Sequence, residues 1–216
     1  MKKLTSTLPH MLLSLGLVCI VAAALLAGMY MVTKEPIAQM EQKSQLEAIR
    51  KVAPEFNNNP VQEADTVTTA DGTRCVVFPA KKDGSLVGAA IQTSSMAGFG
   101  GEIRVMVGFT ADGTVKDYEV LSHAETPGLG SKMQLWFRDP KGARSILEKN
   151  PGTVHFFVSK DKAQEGQIDG ITAATISSRA FLSSVRDAFE AYMSYQGKTA
   201  PKQHDATTGA SKHNVK

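Results

Sequence analysis

A long apolar run near the start of the chain constrains its fold most strongly. Residues 12–32 contain no charged side chain, and a helix needs roughly 20 apolar residues to cross a hydrocarbon core about 30 Å thick. Lys2 and Lys3 precede the run, whereas Lys34 and Glu35 follow it with opposite charges. Because positively charged flanks stay in the cytoplasm, the sequence predicts a cytoplasmic N-terminus, with the rest of the chain on the periplasmic or extracytoplasmic side.

A cleaved signal peptide is the alternative explanation of this run. The alanines at 22–24 could serve a signal peptidase, but apolar residues continue well past them. No cysteine follows the run directly, so a lipoprotein cleavage site is missing. We therefore predict an uncleaved inner-membrane anchor over residues 1–33, followed by a juxtamembrane helix and linker over residues 34–60, with Pro36 in the first turn of that helix.

The remaining sequence predicts one α+β domain over residues 61–196 and a disordered polar tail over residues 197–216. The sheet is expected to be largely antiparallel, and Asp112 followed by Gly113 is a hairpin signal between two strands. The predicted strands span residues 74–78, 86–93, 102–109, 115–121 and 154–158, and the predicted helices span residues 36–52, 131–138, 143–149 and 177–195.

Composition and spacing argue against several classes of function. The net charge of +3 is small and the basic residues are scattered, so nucleic-acid binding has no support. His123 has no His or Cys nearby at ligand spacing, which argues against a metal site. Cys19 lies in the apolar run and Cys75 in a predicted strand, so no disulfide within the domain is expected. No catalytic residue is predicted, and no dinucleotide fingerprint is present.

A hydroxyl-rich segment, residues 169–178, opens directly into a predicted amphipathic helix. Thr175, Ser177 and Ser178 fall at its N-terminus, where backbone N–H groups lack partners and the helix dipole favours a phosphate. Ser and Thr are also ordinary helix caps, so the residues alone leave both interpretations open. Apolar side chains at helical spacing mark its buried face: Phe181, Val185, Ala188, Phe189 and Tyr192.

This segment resembles the flavinylation motif of FMN-binding domains, Asp-x-x-(Ser/Thr)-Gly-Ala-Thr-x-(Ser/Thr). In that family the last Thr carries FMN through a phosphoester bond that a separate Mg-dependent flavin transferase installs. The resemblance implies that Thr175 is the FMN acceptor and that Asp169 and Thr172 are recognition positions, with Ser177 also in the cofactor site. Ala173 stands where the family usually has glycine, which adds a methyl group and removes freedom to adopt a positive φ.

Two further segments match the same family in the same order. Residues 98–103, Gly-Phe-Gly-Gly-Glu-Ile, resemble its Gly-Tyr-Gly-Gly-x-Ile segment. Residues 125–130, Glu-Thr-Pro-Gly-Leu-Gly, resemble the signature that walls one side of the flavin. The alternative is a loop that links a strand to a helix without meeting the flavin. The resemblance implies cofactor contacts from Glu125, Thr126, Gly128, Leu129 and Gly130.

The resemblance also implies an electron-transfer role for a membrane-tethered flavin. Among anchored members of the family, the chain resembles the RnfG proteins of Rnf-type, ion-translocating ferredoxin:NAD oxidoreductases. Such a protein is not catalytic alone, and its expected partners are the other subunits of the complex, a flavin transferase and the membrane. Two alternatives remain open: the related threonyl-flavin protein of a sodium-translocating NADH:quinone reductase, and a tethered binding module whose Thr175 never receives FMN.

Overall fold

A computed structural model of the chain describes residues 8–197, except for the side chains at 8, 38, 39, 41 and 42. The chain divides into two compact units, Met1–Leu46 and Glu47–Lys216. The polar tail predicted over residues 197–216 lies outside the described residues beyond Gly197. The compact unit that holds the sheet thus begins at Glu47, upstream of the domain boundary predicted at residue 61.

The first helix, α1, is continuous over Leu8–Val52. Its segment Pro9–Ile37 contains an 18-residue window with a mean hydropathy of 2.5 and is the one described helical segment long and apolar enough to cross a membrane. A separate juxtamembrane helix beginning at Pro36 was therefore a wrong prediction, because Pro36 lies inside α1. Proline removes one helical hydrogen bond, but strong helix formers such as Ala, Gln, Glu and Leu follow it and continue the helix.

The second unit contains a five-stranded antiparallel sheet of β1 (Asp65–Thr68), β2 (Arg74–Lys82), β3 (Ser85–Ser95), β4 (Ile103–Thr110) and β5 (Val115–His123), which lie side by side in this order. Each strand pairs with the next along the chain, so the sheet is a meander, and the predicted α+β class is confirmed. The short edge strand β1 was not predicted.

Two predicted elements between β5 and the last helix do not form. The predicted strand at 154–158 contributes only a single bridge, Val158 to Ile168, because other backbone groups of this segment are used in local turns. The predicted helix at 143–149 is instead irregular and ends in a turn that is tied to β5, since Glu148 N–H donates to Val115 O at 2.8 Å and Val115 N–H donates to Lys149 O at 2.9 Å. Glu148 also has a positive φ of 61°.

Two helices complete the second unit. The short helix α2, Met133–Trp136, follows a 3-10 turn at Gly130–Lys132 and is shorter than predicted. The long helix α3 spans Thr175–Tyr195, close to its prediction, and lies against one face of the sheet. The five apolar residues predicted for its inner face are all buried, and the ring of Phe181 stacks on Phe137 with centroids 4.6 Å apart.

The opposite face of the sheet is covered by the end of α1 within the second unit. Ile49 and Val52 are buried there against Phe78 and Met106. The backbone of Gly108 approaches this turn so closely that an added Cβ would lie 1.9 Å from Val52 O. The sheet therefore has two apolar faces, and its alternating side chains divide between two core clusters.

Candidate functional site

The N-terminus of α3 carries the predicted acceptor. Thr175 is the first residue of α3, and the preceding residue, Ala174, makes no side-chain capping hydrogen bond. Thr175 is half-buried, and within residues 8–197 its hydroxyl is not hydrogen-bonded. The site therefore presents a hydroxyl beside the uncapped first N–H groups of a 21-residue helix.

A tight turn over residues 171–174 directly precedes α3. Ala174 N–H donates to Ile171 O at 3.0 Å, and Ala173, the third residue of this turn, has a φ of 62°. Ser178 fixes the turn from the helix side, because its hydroxyl accepts from Ile171 N–H at 2.9 Å and donates to Ala174 O at 2.8 Å. A positive φ at this turn position favours glycine, which gives a physical reason for the glycine that the motif usually has.

Asp169 anchors the start of the motif to two neighbouring loops. Its carboxylate accepts from Ala143 N–H at 3.1 Å and from the Ser159 hydroxyl at 2.9 Å. Its backbone carbonyl accepts from the indole N–H of Trp136 at 2.8 Å. Burial lowers the pKa of the nearby Lys149, while the charge of Asp169 acts in the opposite direction. The carboxylate of Asp169 thus fixes the start of the motif to the loops that contain Ala143 and Ser159.

Glu125 connects all three motif segments. Its side chain is only 5% exposed. One carboxylate oxygen accepts from Gly100 N–H at 3.1 Å, and the other accepts from the Ser177 hydroxyl at 2.5 Å. Gly130 lies against both groups, since an added Cβ there would be 2.5 Å from the Glu125 Oε2 and from the Ser177 Oγ. Segments that are distant in the sequence therefore meet at one buried carboxylate.

The loop between Glu125 and Gly130 is exposed at its tip. Thr126, Gly128 and Leu129 are exposed, and the carbonyl of Thr126 accepts from Leu129 N–H at 3.1 Å. Gly128 has a φ of 76° and donates its N–H to the Ser131 hydroxyl at 2.9 Å. The structure thus places Glu125 and Gly130 beside Ser177, and it leaves Thr126, Gly128 and Leu129 on the solvent side.

Exposed apolar side chains concentrate on the same segments. Met96, Phe99, Leu129 and Ile176 are all exposed, although residues 47–197 bury most of their other large apolar side chains. Exposed apolar patches commonly mark binding sites. The sequence-based prediction included only Leu129 of these four. Phe99 could have been found, because it occupies the aromatic position of the glycine-rich segment, whereas Met96 and Ile176 gave no signal.

A cavity of about 620 Å³ runs along α3 from the motif. Ala97 and Ile176 line its end near the motif, and Ala180 continues it along the helix. Its far end is lined by Arg186, whose guanidinium lies 3.8 Å from the ring centroid of Phe157. This volume lies within the range of small-ligand and cofactor sites.

The available groups fit a phosphate-linked FMN. Thr175 offers a hydroxyl for the phosphoester, the uncapped start of α3 offers N–H donors for phosphate oxygens, and the exposed Phe99, Leu129 and Ile176 offer apolar surface for a planar ring. Thr172 is exposed on the turn ahead of the acceptor. Within the described part of the chain, no group of three or more His, Cys, Asp or Glu side chains could hold a metal ion.

Comparison with known proteins gives matches over both units. The FMN-binding domain family profile matches residues 98–190, and the profile of the RnfG N-terminal region matches residues 13–52. The chain is 35% identical over 187 residues to the G subunit of the ion-translocating oxidoreductase complex of Vibrio cholerae strain M66-2, covering 82% of this chain and 87% of the relative. The corresponding protein of Stutzerimonas stutzeri is 34% identical over 200 residues, covering 91% and 84%.

Proposed function

The chain belongs to the RnfG family, the G subunits of ion-translocating oxidoreductase complexes, and we propose that it carries FMN covalently on Thr175 and relays electrons within such a complex. It is a membrane-anchored protein with an FMN-binding domain, and its activity belongs to the complex. FMN would supply the redox chemistry, whereas the protein would hold the cofactor and set its surroundings.

The position of Thr175 carries this proposal. It is the acceptor position of the matched motif and also the first residue of the uncapped helix α3. Thr175 is half-buried, and its hydroxyl is not committed to another described group. A phosphate joined to this oxygen would lie at the positive end of the helix dipole, which stabilises a negative charge there. Ser177, by contrast, is committed to Glu125.

The exposed apolar side chains of Phe99, Leu129 and Ile176 support a binding surface for the flavin ring. We place the ring against Leu129, with Phe99 and Ile176 as further apolar neighbours. Thr126 and Gly128 lie on the same exposed loop and complete this wall. Burying these side chains against an aromatic ring would remove apolar surface from water, at roughly 25 cal/mol per Å².

A flavin transferase must reach Thr175 in the folded or folding chain. Thr172, Ala173 and Ile176 are exposed around the acceptor, so the motif offers an accessible stretch on both sides of the hydroxyl. We propose that Asp169 and Thr172 contribute to recognition by this enzyme. Asp169 combines that role with the structural hydrogen bonds to Ala143 and Ser159.

Mass spectrometry tests the attachment directly. Protein coexpressed with a flavin transferase is expected to gain the mass of FMN less one water, with the modified peptide mapping to Thr175. Thr175→Ala should abolish the modification, and Thr175→Ser should retain part of it because the hydroxyl survives. Mapping to Thr172 or Ser177, or an unmodified wild-type protein, would contradict the proposal, and the unmodified case would favour a tethered binding module without flavin.

The complex in which the protein works is the second part of the proposal. The relatives of Vibrio cholerae and Stutzerimonas stutzeri both carry the name of the G subunit and match over most of their length, which favours the Rnf-type ferredoxin:NAD complex over the quinone reductase. Copurification from the native membrane tests this: Rnf-type partners are expected, and components of a sodium-translocating quinone reductase would overturn the assignment.

A further inference from the structure

Glu125 is a buried acidic side chain in the middle of the site. Its carboxylate accepts two hydrogen bonds, from Gly100 N–H at 3.1 Å and from the Ser177 hydroxyl at 2.5 Å. Within residues 8–197 it makes no ion pair with Lys, Arg or His. A carboxylate buried without a counter-cation is costly to desolvate. Glu125 is therefore expected to have a role in the site that outweighs this cost.

The surrounding glycines leave room for this carboxylate. An added Cβ on Gly98 would lie 2.7 Å from Glu125 Oε1, and one on Gly130 would lie 2.5 Å from Glu125 Oε2. A Cβ on Gly100 would meet the carbonyl of Ala124 at 2.0 Å. The backbone of these glycines therefore packs directly against the carboxylate. The contact of Glu125 with Gly100 and Ser177, which we call the joint, connects the glycine-rich segment, the loop and the start of α3.

We propose that Glu125 is a positioning residue that assembles the flavin site and that its charge lowers the midpoint potential of the flavin. The proposal rests on FMN attachment at Thr175. Ser177 follows that acceptor by two residues in the first turn of α3, so its bond to Glu125 fixes the turn that bears the acceptor. Both oxygens of Glu125 are engaged by the protein, so the side chain acts through Ser177 and Gly100 and not as a direct contact of the ring.

The electrostatic part follows from the burial of the carboxylate. Reduction adds negative charge to a flavin. The buried carboxylate of Glu125 is poorly screened by water, so its negative charge disfavours the reduced flavin. The helix dipole offsets part of that repulsion but leaves the net charge in place. The flavin of the wild-type protein should therefore be harder to reduce than that of a variant with a neutral side chain of the same shape.

The first experiment compares Glu125→Gln with Glu102→Gln. Both changes remove one negative charge from neighbouring segments, but Glu102 is exposed. Both flavinylated proteins are titrated to obtain their midpoint potentials. Glu125→Gln is expected to raise the potential while retaining the attachment, since an amide can still accept from Gly100 N–H and donate to Ser177. Glu102→Gln should leave the potential at the wild-type value. Equal potentials for the two variants would overturn the electrostatic role.

The second experiment removes the joint with Glu125→Ala and follows attachment and local order. Flavinylation is expected to slow at least about tenfold, as misplacement of a reacting group commonly costs this much or more. In the unflavinylated protein, hydrogen exchange at Gly100 N–H should speed up, and Glu125→Gln should restore slow exchange. Wild-type flavinylation and exchange in a folded Glu125→Ala protein would overturn the positioning role.

The two proposals fail in distinguishable ways. If the wild-type protein carried no flavin at Thr175, the attachment would be refuted, while the exchange of Gly100 N–H would still test the joint. If Glu125→Ala failed to fold, Ser177→Ala would replace it, because this change removes the same contact from the helix side. Flavinylation at the wild-type rate in a folded Ser177→Ala protein would contradict the joint.

Discussion

Ala173 occupies a backbone conformation that suits glycine better than alanine. A φ of 62° costs a residue with a Cβ roughly 1–2 kcal/mol, and the bonds of Ser178 to Ile171 and Ala174 hold the turn in this conformation. The sequence motif marked Ala173 as a departure from the family. The turn geometry gives the reason why glycine is usual there, and it makes the substitution testable.

Ala173→Gly is expected to stabilise the protein by about 0.5–1 kcal/mol. Relief of the left-handed strain, roughly 1–2 kcal/mol, exceeds the entropy of roughly 0.5–1 kcal/mol that glycine adds to the unfolded chain. Urea denaturation measures the difference. Ala163→Gly serves as the matched control, because Ala163 has no positive φ and should lose stability on the same change. A less stable Ala173→Gly protein would contradict the strain at this turn.

Leu129→Lys tests the flavin wall at a single side chain. Leu129 is 39% exposed at the loop tip, so a lysine there should be tolerated by the fold. If the ring lies against this side chain, the change should shift the flavin absorbance and raise the midpoint potential, because a positive charge favours the reduced flavin. Attachment at Thr175 should persist.

Leu135→Lys is the control for this change. Leu135 is 72% exposed on α2, so it introduces the same charge on the same domain outside the proposed wall. Its spectrum and potential should match those of the wild type. If Leu129→Lys behaved like Leu135→Lys, the loop would be only a link between β5 and α2.

The helices and strands with a regular pattern of apolar residues were predicted well from the sequence. The alternation in β2 to β5 and the helical spacing in α3 both reflect burial on defined faces. The segment 143–169 was predicted poorly because its structure depends on distant partners. Its turn at residues 148 and 149 is hydrogen-bonded to Val115, and its loops are held by the Asp169 carboxylate. Neither interaction leaves a periodic pattern in the sequence.

The site shows the same division between local pattern and tertiary contact. The motif indicated Thr175 at a helix N-terminus, and α3 begins there. The contact between Glu125 and Ser177 joins residues 52 positions apart, which no local pattern encodes. Exposed apolar residues such as Met96 also escaped prediction, because exposure depends on how the segments pack.

Cys75 provides a test of the packing between β2 and α3. Burial raises the pKa of its thiol to about 11, so the reactive thiolate is scarce at pH 8 in the folded state. In a Cys19→Ser variant, a thiol reagent at pH 8 should label Cys75 only after unfolding in urea. Because the pKa is higher in the folded state, stability should be full below about pH 8.5 and decline as the pH rises toward 11. Rapid labelling of the folded protein would contradict burial under α3.

The two units of the chain differ in how the sequence encodes their function. The apolar segment Pro9–Ile37 specifies an anchor by length and composition, whereas the second unit specifies a cofactor site by tertiary contacts such as that of Glu125. The helix α1 enters both units. Which side of the membrane holds the second unit depends on the flanking charges, and this remains a prediction.

A single-cysteine labelling experiment tests the proposed N-in topology, with the flavin domain outside the cytoplasm. Cys75 is buried and Cys19 lies within the apolar segment, so both native thiols should react slowly with a membrane-impermeant maleimide. Lys160→Cys places a thiol at an exposed position of the second unit, and Thr5→Cys places one before the apolar run while Lys2 and Lys3 are kept. In cells with a permeabilised outer barrier, the first variant should label rapidly and the second only after lysis, because Lys2 and Lys3 retain the N-terminus in the cytoplasm. The reverse pattern would place the domain in the cytoplasm, and a mature protein beginning near Leu25 would show that the apolar run is a cleaved signal peptide.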